Sequence, residues 1–234
     1  MKGNWATLAT WFWLATACIL HGQGTFQNLA FENTTLTVFV RNPSIPSYAT
    51  NATVPGWDWS PHFTFGFGDP NTTVAFNSYA LDAPAVTLQG TNGFVPAILG
   101  NHSILLQGGT TAGGVVYGLT NGASVFQTGQ FPANSQSLTY FGGPAIQVAI
   151  NGQQLPKFPI FTGSSFTVWV VDISAYAGQT GQLSFTAPWR TSGILDGISF
   201  SKVPIPEPST FSLFVLSAVL LGWQLRHGMF AKTE

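Results

Sequence analysis

The tryptophans and carboxylates are the side chains of this sequence best equipped for chemistry. Trp57 and Trp59 stand two apart in Pro55-Gly56-Trp57-Asp58-Trp59-Ser60-Pro61, a spacing that puts both rings on one side of an extended strand. Trp189, followed by Arg190, supplies a third aromatic near the far end of the chain. Pyranose rings are recognised by aromatic faces laid against their C–H groups, with amide and carboxylate hydrogen bonds around them. Trp57, Trp59 and Trp189 are therefore the candidate carbohydrate-binding residues. Trp57 has a competing use, because an aromatic after Pro-Gly also serves as a core residue, and Trp169, inside an apolar run, reads as core.

Catalysis has less to work with. Between residues 25 and 205 the acids are Glu32, Asp58, Asp69, Asp82, Asp172 and Asp196, and the histidines are His62 and His102. A glycosidase needs two carboxyl groups about 5 to 10 Å apart across a cleft, and Asp58 and Asp69 sit in turn-like contexts where side-chain to backbone bonds are the commoner use. There is no Gly-x-Ser-x-Gly elbow, no paired-histidine metal motif and no glycine loop to cradle phosphate. The expectation is a protein that is not an enzyme, with a secreted glycan hydrolase as the remote alternative. The basic residues of the same span, Arg41, Lys157, Arg190 and Lys202, are isolated from one another. Binding to nucleic acid, which needs clustered cations, is not expected.

The elements that must position these side chains read as β-strands. Apolar and polar residues alternate over 36–40, 72–76 and 137–141, the period of a half-buried strand. The run 146–150 ends in Asn151-Gly152, the pair that accepts positive φ at both centres of a tight hairpin turn. Further strands are predicted at 86–89, 104–107, 115–119, 124–127, 167–171, 182–185 and 194–201. Such short strands, punctuated by Gly, Pro and Asn, predict an all-β sandwich over residues 25–203, one domain with one core. Only 6% of the chain is charged, so solubility falls to Thr, Asn, Gln and Ser. That surface is expected of a protein embedded in a polysaccharide matrix, and it is also common among secreted β-proteins.

Two terminal segments are set apart from this domain. Lys2, an uncharged apolar run from Trp5 to Leu20 and Gly22-Gln23-Gly24 make residues 1–24 a signal peptide helix with small residues at its cleavage site. Leu14-Ala15-Thr16-Ala17-Cys18 echoes a lipoprotein cleavage box but departs from it at Ala15, and its apolar run continues through Ile19 and Leu20. Cys18 is the single cysteine of the chain, so the mature domain would carry neither a disulfide nor a thiolate. At the other end, residues 209–225 form an uncharged apolar run, a little short of the roughly twenty residues that span a bilayer as a helix. Arg226, His227 and Lys232 follow it. Cationic flanks are retained on the cytoplasmic side, which would leave the domain outside the inner membrane.

Pro206-Glu207-Pro208, the apolar span and the basic end, in that order, resemble the PEP-CTERM sorting signal of Gram-negative bacteria that secrete exopolysaccharide. The resemblance covers about residues 204 to 232 of the terminal segment 204–234. It implies recognition of Pro206, Glu207 and Pro208 by an exosortase, cleavage near that motif, transient or permanent anchoring in the inner membrane, and delivery to the cell surface or extracellular matrix near exopolysaccharide.

A second resemblance concerns the domain itself. Asn28-Leu29-Ala30-Phe31-Glu32 near its start, the strand–turn–strand segment 170–185 with Asp172 or Ser174 as cap and Gly178 as stop, and the closing Ile194-Leu195-Asp196-Gly197-Ile198-Ser199-Phe200 look like the galactose-binding-domain-like jelly roll of many carbohydrate-binding modules. In that family a carboxylate near the first strand and another in the last help hold a structural calcium ion. Glu32 and Asp196 match those places, although Gly197 stands where a second acid is usual. The competing use of both carboxylates is to accept backbone hydrogen bonds at the sheet ends. The expected role is structural or adhesive, with a surface-displayed carbohydrate-binding module as the alternative.

Overall fold

Period-two patterning becomes alternation of inward and outward side chains. The structure, a computed structural model, describes residues 24–40, 48–61, 73–79, 83–110 and 122–205. Its strands are β1 (Thr35–Val40), β2 (Tyr48–Thr53), β3 (Asp58–Ser60), β4 (Val74–Phe76), β5 (Pro84–Gly90), β6 (His102–Gly108), β7 (Ala123–Gln130), β8 (Ser137–Gly142), β9 (Gln147–Ile150), β10 (Gln153–Leu155), β11 (Lys157–Thr162), β12 (Thr167–Asp172), β13 (Thr180–Ala187) and β14 (Ser192–Ser201). They form a nine-stranded sheet, β1-β2-β4-β5-β6-β14-β8-β12-β11, and a five-stranded sheet, β10-β9-β13-β7-β3. Central strands β5 and β6 of the large sheet pack against β3, β7 and β13 of the small one. The result is a β-sandwich, as the strand pattern predicts.

The core lies between the sheets. On β13, Leu183, Phe185 and Ala187 point inward, and from the facing sheet come Leu138, Tyr140, Leu88 and Leu106, all buried. Residues before the first strand complete it: Phe26, Leu29 and Phe31 are buried in the same cluster. Asn151 and Gly152 take φ of 51° and 78° and join β9 to β10 with Ile150 opposite Gln153. Around the 3-10 turn Ser174–Tyr176 the predicted stop forms, but the cap position falls to Ile173, with no side-chain cap bond, and Asp172 begins the turn instead. Asp172 Oδ1 accepts the Ser174 N–H at 2.9 Å, and Gly178 turns the chain at φ +74°.

Four strands, β2, β3, β10 and β11, have no counterpart in the sequence reading, and β11 shows why. Phe158, Ile160 and Phe161 are exposed, so the edge strand lacks a buried face to impose alternation. Its register slips at a bulge between Pro159 and Phe161. A proline and a bulge on an edge discourage pairing with another chain. The strand predicted at 115–119 lies outside the described residues. So do most of the signal segment 1–24, the motif Pro206-Glu207-Pro208 and the span 209–225. Among the described residues, no helix is long and apolar enough to cross a membrane.

The closing strand β14 carries a bulge with consequences. Leu195 and Ile198 are both buried, which simple alternation forbids for residues three apart. The register shifts between Asp196 and Ser199, and Gly197 sits at φ +53°, as a glycine-containing bulge allows. Beyond it, Phe200 packs on Phe26 and Phe131 at centroid distances of 5.4 and 5.8 Å. Ser199 faces the other way, its hydroxyl 2.7 Å from that of Thr139. Because Phe200 is only half-buried, Phe200→Ala is expected to cost about 1 to 3 kcal/mol, below the range for fully buried aromatics, and Ser199→Ala less than about 1. Urea unfolding of the two variants compares them, and equal losses would mean the register is wrong.

Candidate functional site

The paired tryptophans are on one side of their strand, and that side is the core. Trp57 and Trp59 are 5% and 4% exposed, so they offer no surface platform to a sugar, and that expectation is corrected. Trp57 donates its indole N–H to the Asn28 carbonyl at 3.0 Å and lies 5.4 and 6.2 Å from the rings of Phe31 and Phe185. Burial of their apolar area outweighs any use at the surface, because a large aromatic stabilises most when removed from water. Asp58, between them, faces outward and accepts the Trp59 N–H at 2.8 Å.

Glu32 and Asp196 are brought to one turn, residues 97–103, but as hydrogen-bond acceptors. Asp196 is completely buried. Its Oδ2 accepts the Leu99 N–H at 2.8 Å and the Ser103 hydroxyl at 2.6 Å, and its Oδ1 accepts the Gly197 N–H at 2.7 Å. Glu32 Oε1 accepts the N–H groups of Asn101 and His102 at 2.8 and 3.1 Å, while His102 Nδ1 lies 3.5 Å from Oε2. Calcium takes six to eight oxygens, whereas here N–H and O–H donors point at the carboxylates. The donor set does not fit the ion. Among the described residues no group of three or more His, Cys, Asp or Glu is placed to hold a metal. Asp196 instead latches this stretch onto β14, and Glu32 ties it to the segment before β1. His62, Asp69 and Asp82 lie outside the described residues.

Trp189, the third candidate, lies at the surface. It is 42% exposed, at the tip of the turn between β13 and β14. The turn is closed by the Thr191 N–H donating to the Pro188 carbonyl at 3.0 Å, and the Arg190 N–H donates to the Gly109 carbonyl at 2.8 Å. The Arg190 guanidinium lies 4.4 Å from the centre of the Trp189 ring, a cation–π contact that orients it. Arg190, but not Trp189, lines a cleft of about 70 Å³ together with Tyr79, Gln107, Gly109, Thr110, Thr191 and Ser192. Tyr79 is partly exposed, and its ring lies 4.5 Å from that of Phe94, tilted by 37°; Phe94 is 70% exposed. Sequence reasoning singled out Trp189-Arg190 but not Tyr79, Phe94 or Gln107. These come from separate strands and loops, with no local spacing to connect them.

No protein-family model matches the chain, and no curated protein matches it. Among solved structures, the chain is similar to the enzymatically active domain of bacteriophage CBA120 tailspike protein 4 at 12% identity and a TM-score of 0.35, over 76% of this chain and 20% of that one. The chain thus spans about a fifth of that structure's length, and a likeness so distant carries no functional argument.

Proposed function

We propose that this is an exported protein of the cell surface or extracellular matrix, sorted by an exosortase, with a structural or adhesive role and no catalytic activity. The observation that carries this reading is in the sequence: Pro206-Glu207-Pro208, then the uncharged apolar run 209–225, then Arg226, His227 and Lys232. Features of the fold support it. The sandwich core is complete by β14, which ends at Ser201, and Val203 is 67% exposed, so a short accessible tether precedes the motif that a protease must reach. On the edge strand β11, Phe158, Ile160 and Phe161 are exposed while Pro159 and the bulge oppose strand addition. Contacts there would be made through side chains, as an adhesive surface requires. The second reading, a surface-displayed carbohydrate-binding module, is favoured by the cleft that Arg190 lines next to the exposed Trp189.

Replacing Pro206, Glu207 and Pro208 with alanines is expected to leave export intact while the protein stays in the inner membrane with its tail attached. Mass spectrometry of the surface-released wild type should show a C-terminus near the motif. A released peptide extending intact through Leu225 would overturn the sorting claim.

A further inference from the structure

We infer that the cleft at the β13–β14 turn binds an acidic sugar residue, its carboxylate held by Arg190 and its ring resting on Tyr79 and Phe94. The inference deepens the carbohydrate-binding reading of this protein and rests on it. Three observations converge on Arg190. Its backbone is left-handed, at φ +62°, a conformation that L side chains other than Asn and Asp seldom adopt and that glycine takes freely. At an exposed charged residue such a backbone is a starting point for a functional hypothesis. Its guanidinium, stacked on Trp189, has no carboxylate partner among the described residues, where His102–Glu32 is the ion pair present. Finally, the turn that carries it is held firmly. Gly108 donates its N–H to the Thr191 carbonyl at 2.8 Å, and a Cβ on Gly108 would lie 1.9 Å from the Pro188 carbonyl oxygen.

A planar guanidinium fixed in this way presents a fork of donors that matches a carboxylate with two parallel bonds. Thr191 and Ser192 share the cleft lining with Arg190, and Thr191 Oγ1 already donates to the Pro188 carbonyl at 2.7 Å. At about 70 Å³ the cleft admits a substituent rather than a pyranose ring. The ring would therefore lie outside it, across Tyr79 and Phe94, where exposed aromatic faces meet sugar C–H groups. A carboxylate-bearing sugar satisfies both parts of the site, whereas a neutral one leaves the guanidinium unmatched.

The full chain in detergent, titrated with galacturonic acid oligosaccharides and followed by tryptophan fluorescence, tests this. The control ligand is the same oligosaccharide with its carboxyl groups reduced to alcohols. Wild type is expected to bind the acidic form at least tenfold more tightly than the reduced form. Arg190→Gly should weaken acidic binding at least tenfold while leaving the melting temperature unchanged or raised, because glycine suits φ +62°. Arg190→Lys, which keeps the charge but not the fork, should fall between them. Equal affinity for the two ligands, no binding of either, or Arg190→Gly binding as wild type would each overturn the inference. None of these outcomes touches the sorting reading, which mass spectrometry of the released protein decides separately.

Discussion

Phe185→Ala is expected to lower the unfolding free energy by about 3 to 5 kcal/mol, the range for deleting a fully buried aromatic. Phe185 is wholly buried on β13 and joins the two layers of the sandwich. Its ring meets Tyr140 of the opposite sheet edge-on at 5.2 Å and Trp57 at 6.2 Å. Alanine leaves a void that strands on both sides, held in register by their ladders, cannot close. Because a domain's whole margin is about 5 to 15 kcal/mol, the variant should melt far earlier. Ser184, one residue away, faces out of the sandwich and is half-buried. Ser184→Ala should change stability by less than about 1 kcal/mol. Urea titrations of both variants read the contrast, and a loss at Phe185 no larger than at Ser184 would contradict the packing of the two sheets.

Asp196→Ala should cost about 2 to 4 kcal/mol, since it strands the Leu99 N–H, the Ser103 hydroxyl and the Gly197 N–H in a buried place. The same residue gives stability a pH dependence. Burial raises its pKa from the ordinary 3.8, the charge of Glu32 adds to that rise, and the bonds from Ser103, Leu99 and Gly197 oppose it. The folded protein thus holds this proton more tightly than the unfolded chain. Its contribution to stability is complete below pH 3.8 and is lost as pH rises through the raised folded value. Relative to Asp196→Asn, which cannot titrate, the wild type should lose stability as pH climbs through that window. Unfolding free energies of the two proteins across a pH series measure it. A difference that stays constant, or a wild type that gains stability relative to Asp196→Asn as pH rises, would show that the proton is not held there.

Much of the scaffold was readable from local pattern. The alternation in 124–127 and 182–185, the Asn151-Gly152 turn, and the turn begun by Asp172 and stopped at Gly178 all depend on backbone geometry within a few residues. Each appears in the structure at the predicted place. Edge strand β11 was not readable, because alternation arises only where one face is buried, and Phe158, Ile160 and Phe161 are exposed. The bulge at Gly197 was missed for a related reason: its sign is that Leu195 and Ile198 share the core, a fact about the neighbouring sheet.

By itself the sequence determined which side chains share a face and where the chain turns. It placed Trp57 and Trp59 together, and it set the order of proline motif, apolar run and cationic end on which the sorting proposal rests. The tertiary structure alone decided what those faces meet. It turned the tryptophan pair into core against Phe31 and Phe185, and it gave Glu32 and Asp196 to the donors of one turn. It also gathered Tyr79, Gln107 and Arg190 around a cleft. The physical reason is that a strand's two-residue period is fixed by its own backbone, whereas the environment of each face is set by sheet order and the stacking of a second sheet, which join residues far apart in the chain.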